Sequence, residues 1–168
     1  MNKIVISAVV AAALLGGIIW FAEPKQQSSG KNKSAIPAQN NGTLVVEGVN
    51  NYDFGEISMT AGKVKYDFKI KNNGNEATTI SKIYTSCMCT TAELMIKGKK
   101  MGPYGMPGHG VIPVINQIID SNEEATIEAV FDPAAHGPAG VGKIQRAVII
   151  ENNAGDPIEL QLTAVVTP

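Results

Sequence analysis

Cysteine, histidine and aromatic residues are all scarce in this 168-residue chain: two Cys, two His, one Trp, and aromatics at 5%. Each scarcity excludes something. Two cysteines cannot staple a small secreted scaffold, but they can form one bridge, one thiol pair or two metal ligands. So few aromatic rings leave little for base stacking, and a net charge of -1 supplies no basic field, so nucleic acid is not an expected partner. There is no Ser-His-Asp signature, no Gly-rich phosphate loop and no HExxH, so the sequence gives no positive sign of an enzyme.

What is present falls into three textures. Ile4 to Ala22 is a 19-residue apolar run with no charge, long enough to cross a bilayer as a helix, and Trp20 and Phe21 close it as interfacial aromatics do. Residues 1–22 are therefore expected to be a signal anchor and transmembrane helix. A cleaved signal is the rival, disfavoured because Trp20 would occupy the small-residue position of a cleavage site after Ala22. Lysines flank the run on both sides, so charge alone does not orient it. Residues 23–42 are rich in Gln, Ser, Asn, Gly, Pro and Lys and read as a flexible linker.

Residues 43–168 change to short β-like runs with turn signals between them. Val64, Tyr66, Phe68 and Ile70 alternate strictly with Lys65, Asp67, Lys69 and Lys71, the pattern of a strand with one face buried. Further runs begin near Leu44, Thr78, Ala125, Lys143 and Ile158. Glu93 to Glu123, with its many Gly and Pro residues, is expected to be an irregular excursion. The fold class read from this is all-β: a single antiparallel β-sandwich of about seven strands behind the N-terminal helix.

Tyr52-Asp53-Phe54-Gly55-Glu56-Ile57, Phe68-x-Ile70-x-Asn72-x-Gly74, Thr85-Ser86-Cys87-x-Cys89-Thr90 and Phe131-Asp132-Pro133 follow one another in an order that resembles the bacterial DUF1573 family. The resemblance implies an immunoglobulin-like fold akin to ASH/Hydin-type domains and an extracytoplasmic location. The usual member has Gly between the two cysteines, where this chain has Met88. Some members are similar also at Gly105-Met106-Pro107-Gly108-His109 and Asp132-Pro133-Ala134-Ala135-His136.

The residues suggest one site. If consecutive strands alternate direction, the runs ending near Ile57, Ser86 and Phe131 finish at the same pole. The loops leaving that pole carry Cys87, Cys89 and His136, and the excursion with Met106 and His109 starts from it. An extended Cys-x-Cys would point both thiols to one face. Thiolate with imidazole suits copper or zinc, and an added thioether favours Cu(I). The expected metal ligands are Cys87, Cys89, His109, His136 and Met106, with copper favoured and zinc the alternative. The expected function is a membrane-tethered extracytoplasmic metal-binding module. Two others stay open: an interaction module whose long loop meets a partner protein, and a thiol-redox protein using the cysteine pair. Against the last, no Cys-x-x-Cys is present.

Overall fold

The strict alternation from Val64 lies in a strand, with Phe68 and Ile70 buried and Lys65, Asp67 and Lys69 exposed. This strand belongs to a computed structural model that describes residues 43–108 and 112–168. Ten strands follow in order: β1 (Leu44–Glu47), β2 (Asn51–Ser58), β3 (Val64–Asn72), β4 (Thr78–Thr85), β5 (Thr90–Ile96), β6 (Lys99–Tyr104), β7 (Gln117–Ile119), β8 (Glu124–Phe131), β9 (Gly142–Asn152) and β10 (Ile158–Thr167). The described residues contain no α-helix, only 3-10 turns at Met59–Ala61 and Gly137–Gly140. None of their elements is a helix long and apolar enough to cross a membrane. The expected span at residues 1–22, the linker at 23–42 and the ligand candidate His109 lie outside the described residues.

The strands form two five-stranded sheets, β1-β3-β8-β5-β6 and β2-β10-β9-β4-β7. Phe68, Ile70 and Ile127 from the first share one buried cluster with Ile80, Leu160 and Leu162 from the second. The inward positions of each strand supply this layer between the sheets, as in sheet-on-sheet packing.

Four sequence expectations change. The count is ten strands, not about seven. The run from Leu44 to Ile57 is two strands, because Gly48 takes φ +90° and lets the chain leave one sheet for the other. β2 then pairs with β10 in parallel, Tyr52 opposite Leu162, so the sheets are not wholly antiparallel. The excursion is also more ordered than its glycines and prolines suggest. β5 and β6 form a hairpin across Lys97 and Gly98, both at positive φ (51° and 77°), the conformation that tight hairpin turns require. Pro103 is accommodated because β6 is an edge strand, where its missing N–H breaks no ladder.

On the outer face of the first sheet, Glu128 is buried under two lysines. Lys65 Nζ donates to its Oε2 at 2.6 Å and Lys100 Nζ to its Oε1 at 2.9 Å, and Lys100 also pairs with Glu93. The hydrogen bonds from Lys65 and then Lys100 hold the Glu128 carboxyl down from 4.5 to about 2. The folded-state value lies below the unfolded one. The stabilisation is therefore complete above about pH 4.5 and is lost as the pH falls toward 2. Both lysines are exposed to solvent, so screening leaves about 1 kcal/mol. Glu128→Gln is expected to lower the thermal midpoint by about 4 °C at pH 7. That difference should close in melts taken near pH 2.

Register places the ends of the strands. Val64 of β3 and Thr90 of β5 both lie opposite Phe131 at the end of β8, and β4 ends at Thr85. One pole of the domain therefore gathers the β2–β3 connection, the β4–β5 turn and the segment after β8.

Candidate metal centre

The β4–β5 connection holds only Ser86, Cys87, Met88 and Cys89 between its strands, so the chain must reverse within it. It does so in a tight turn in which the Thr90 N–H donates to the Cys87 carbonyl at 3.1 Å. Thr85, fully buried, keeps its hydroxyl within 3.0 Å of the Cys87 carbonyl and 2.9 Å of the Thr90 carbonyl. A Thr hydroxyl has one proton, which the two acceptors share. Ser86 fastens the turn to β9: its N–H donates to the Ala147 carbonyl at 2.9 Å, and its Oγ accepts the Ala147 N–H at 2.8 Å. The two cysteines converge through this turn, not through the period of an extended strand as the sequence suggests. Met88, at the tip, is half exposed.

The second loop comes from the end of β8. The Asp132 N–H donates to the Cys89 carbonyl at 2.8 Å. The Asp132 carboxylate accepts the Ala134 N–H at 3.0 Å, the Asx-turn use of a residue placed before Pro133. The chain curls through Ala134 and Ala135 and delivers His136 over the cysteine turn. His136 Nε2 lies 3.2 Å from Cys87 Sγ. One donor atom each from Cys87, Cys89 and His136 fall within 4.8 Å of one another. Cys89 is buried, Cys87 half-buried and His136 exposed, so the group opens to solvent on the histidine side. Neither cysteine is in a disulfide.

A fourth residue completes the group. Arg146 of β9 donates from Nε to Cys89 Sγ at 3.1 Å, and its Nη1 donates to the Gln145 carbonyl at 2.9 Å. The sequence alone assigns Arg146 no chemistry. Its signal is positional: it shares strand parity with Ile144, Val148 and Ile150, all buried, so a charge there requires a partner.

These contacts divide the two thiols. Burial pushes Cys87 up, but hydrogen bonds from the Cys89 thiol and backbone N–H, then His136 and the Arg146 charge, outweigh it and bring the thiol from 9.0 down to about 7. Burial, then the hydrogen bond shared with Cys87, pushes Cys89 up despite Arg146. Reduced, metal-free protein is therefore expected to be alkylated by iodoacetamide at Cys87 first, with half-maximal rate near pH 7. Cys89 should react slowly until the protein is unfolded. Peptide mapping after timed quenching reads both rates.

Met106 is placed differently from the three donors. It lines a cleft of about 320 Å³ with Met88, Thr90, Tyr104, Gly105 and others, and none of Cys87, Cys89 or His136 is among the lining residues. The Thr85 N–H donates to the Gly105 carbonyl at 3.1 Å, so this part of the excursion is tied to the end of β4. Two thiols and an imidazole on short, hydrogen-bonded loops can take up a soft or borderline cation, or can exchange with a disulfide.

No curated protein is a match for this chain. Among solved structures, a protein of unknown function from Porphyromonas gingivalis W83 is similar at 15% identity with a TM-score of 0.53. That match covers 80% of this chain and 51% of the other, so the chain spans about half of that protein's length. The seventh PapD-like domain of human CEP192, an ASH/PapD-like domain, is similar at 11% identity and TM-score 0.47, over 86% of this chain and 98% of that one. The periplasmic chaperone SfaE is similar at 8% identity and TM-score 0.41, over 74% and 58%. The likeness in fold rests on the first of these. Residues 45–104 match the family described as "Protein of unknown function (DUF1573)". The matched segment contains the cysteine turn and the motifs from Tyr52 to Thr90, so the chain is similar to this family there.

Proposed function

We propose that residues 43–168 are an extracytoplasmic immunoglobulin-like domain, tethered to the membrane by residues 1–22 through the linker at 23–42, that binds one Cu(I) ion. The observation that carries this reading is the convergence of Cys87, Cys89 and His136 donor atoms within 4.8 Å. Donor softness supports copper: thiolates select Cu(I) among the common ions. Donor number supports it too, since structural zinc takes four protein ligands and the described residues bring together three. Zinc would need water or His109 as a fourth donor. An ion with bonds of about 2.0–2.3 Å holds its S and N ligands roughly 3.6 Å apart, so Cys87 and His136 would separate only slightly from their 3.2 Å contact. The chemistry of such a site is storage, carriage or delivery of the ion, not turnover.

A second reading has one observation in its favour. A Cys87 thiol near 7 beside a second free cysteine is the arrangement of an attacking and a resolving thiol. One experiment separates the two. Fully reduced protein titrated with Cu(I) against a chromophoric chelator should take up one ion per chain. Reduced protein that leaves all the Cu(I) with the chelator would overturn the copper reading and leave the redox one.

A further inference from the structure

Arg146 occupies an inward position of β9, between Ile144 and Val148 in the alternation, yet among the described residues no carboxylate pairs with it. Its Nε is directed at Cys89 Sγ at 3.1 Å. Other charged groups lie at this pole, with Lys63 and Asp132 4.0 Å apart and Glu56 and Lys143 flanking Val165, but among the described residues none of them has a hydrogen bond or ion pair with Cys87, Cys89 or His136. The balance of charge at the site is therefore set by the two sulfurs and the guanidinium. Two thiolates carry two negative charges and Arg146, never deprotonated in a protein, carries one positive. The sum is a single negative charge, which a monovalent cation neutralises. A divalent cation would leave a net positive charge in a partly buried pocket, where charge is poorly solvated.

We infer that Arg146 determines the charge preference of the site, favouring a monovalent soft cation over divalent ions. The inference rests on the metal-binding reading above. Arg146 acts through Cys89 and through space, so it is a specificity residue and not a ligand. Its guanidinium is held at both ends, on Cys89 Sγ and on the Gln145 carbonyl, which keeps the charge in place when an ion enters.

The test uses two redox-inert probes, Ag(I) and Cd(II), on reduced protein. The quantity read is the ratio of their affinities in wild type, Arg146→Gln and Arg146→Lys. Removing the charge should lower the Ag(I)-over-Cd(II) preference by about tenfold or more, while the Lys variant should stay near wild type. A structural role for Arg146 would weaken both ions together and leave the ratio unchanged. A ratio within about twofold of wild type in the Gln variant overturns the inference while the copper reading stands. Wild-type protein that binds neither probe removes both. Should Arg146→Gln fail to fold, Arg146→Met supplies a neutral side chain suited to the apolar parity of the position, and the same ratio decides.

Discussion

Replacing Cys87 and Cys89 together by Ser is expected to abolish stoichiometric Cu(I) binding, lowering affinity by on the order of a thousandfold or more. Only His136 would remain of the three converging donors, and a hydroxyl is a hard, neutral oxygen where the ion needs a soft, anionic sulfur. The fold should survive. The turn is closed by backbone groups and by the hydroxyls of Thr85 and Ser86, none of which the substitution removes. The hydroxyl that replaces the Cys89 thiol could still accept from Arg146, so no buried donor is orphaned. Thermal midpoints within a few degrees of wild type, with the loss of copper in the same samples, would establish that the ligands were removed and not the domain. The single variants should differ. Cys87→Ser removes the sulfur that touches His136, on the open side of the site. Cys89→Ser removes the buried sulfur that Arg146 contacts. A double variant that binds one Cu(I) with wild-type affinity would exclude the proposed site.

Much of this site is legible in the sequence, and the reason is strand polarity. His136 lies 49 positions from Cys87, yet counting strands that alternate in direction brings the segment after β8 to the same pole as the segment after β4. The count itself is incomplete, because the sequence pattern allows a single strand within the excursion where the structure has β5, β6 and β7 between β4 and β8. That error does not disturb the conclusion, because β5 pairs with β8 directly and brings Thr90 opposite Phe131. The signal for β5 is present in Thr90, Ala92, Leu94 and Ile96, which alternate and are all buried. The density of Gly and Pro after Lys97 outweighs it. An edge strand tolerates such residues, and edge position is a property of the assembled sheet, invisible in the local run.

Arg146 shows a second limit. Periodicity reveals that its side chain belongs to an inward row but not what waits for it there. The partner comes from a turn 57 positions away in sequence. The cysteine turn fails differently. Period-two reasoning gives the right outcome, two thiols on one side and Met88 outside, for the wrong conformation. What sets the conformation is the need to join two strands within four residues, with Thr85 placed to satisfy two carbonyls.

Asn72→Ala is expected to destabilise the domain by about 3 kcal/mol, a large part of the roughly 5–15 kcal/mol available to an ordinary domain. Asn72 is fully buried at the end of β3. Its Nδ2 lies 2.7 Å from the Glu76 carbonyl, 3.1 Å from that of Ile119 and 3.2 Å from that of Asp120. Its Oδ1 accepts the Gly74 N–H at 3.0 Å. Its backbone bonds in both directions with the β7–β8 turn, at Glu123 and Asn122. One amide thus ties three segments together, and deleting it takes this partner from the buried Ile119 carbonyl and from the part-buried Glu76 carbonyl, Asp120 carbonyl and Gly74 N–H. Gly74 belongs to the same device: a Cβ there would come within 2.7 Å of Thr43. This is the physical content of Asn72-x-Gly74 in the sequence. Asn72→Asp should be worse at pH 7 than Asn72→Ala, since a carboxylate would face carbonyl oxygens. Its folded-state pKa would then be raised, so the added penalty is full above that raised value, relaxes as the pH falls toward the unfolded value near 4, and is gone below it. Urea titrations at pH 7 and pH 4, each referred to wild type at the same pH, read both effects. Asn73→Ala, exposed in the same turn, is the control and should stay within about 0.5 kcal/mol. Because Asn72 lies at the pole opposite the cysteines, the folded fraction of Asn72→Ala should still take up one Cu(I) per chain. A folded variant that had lost the ion would mean that the two ends of the sandwich are coupled.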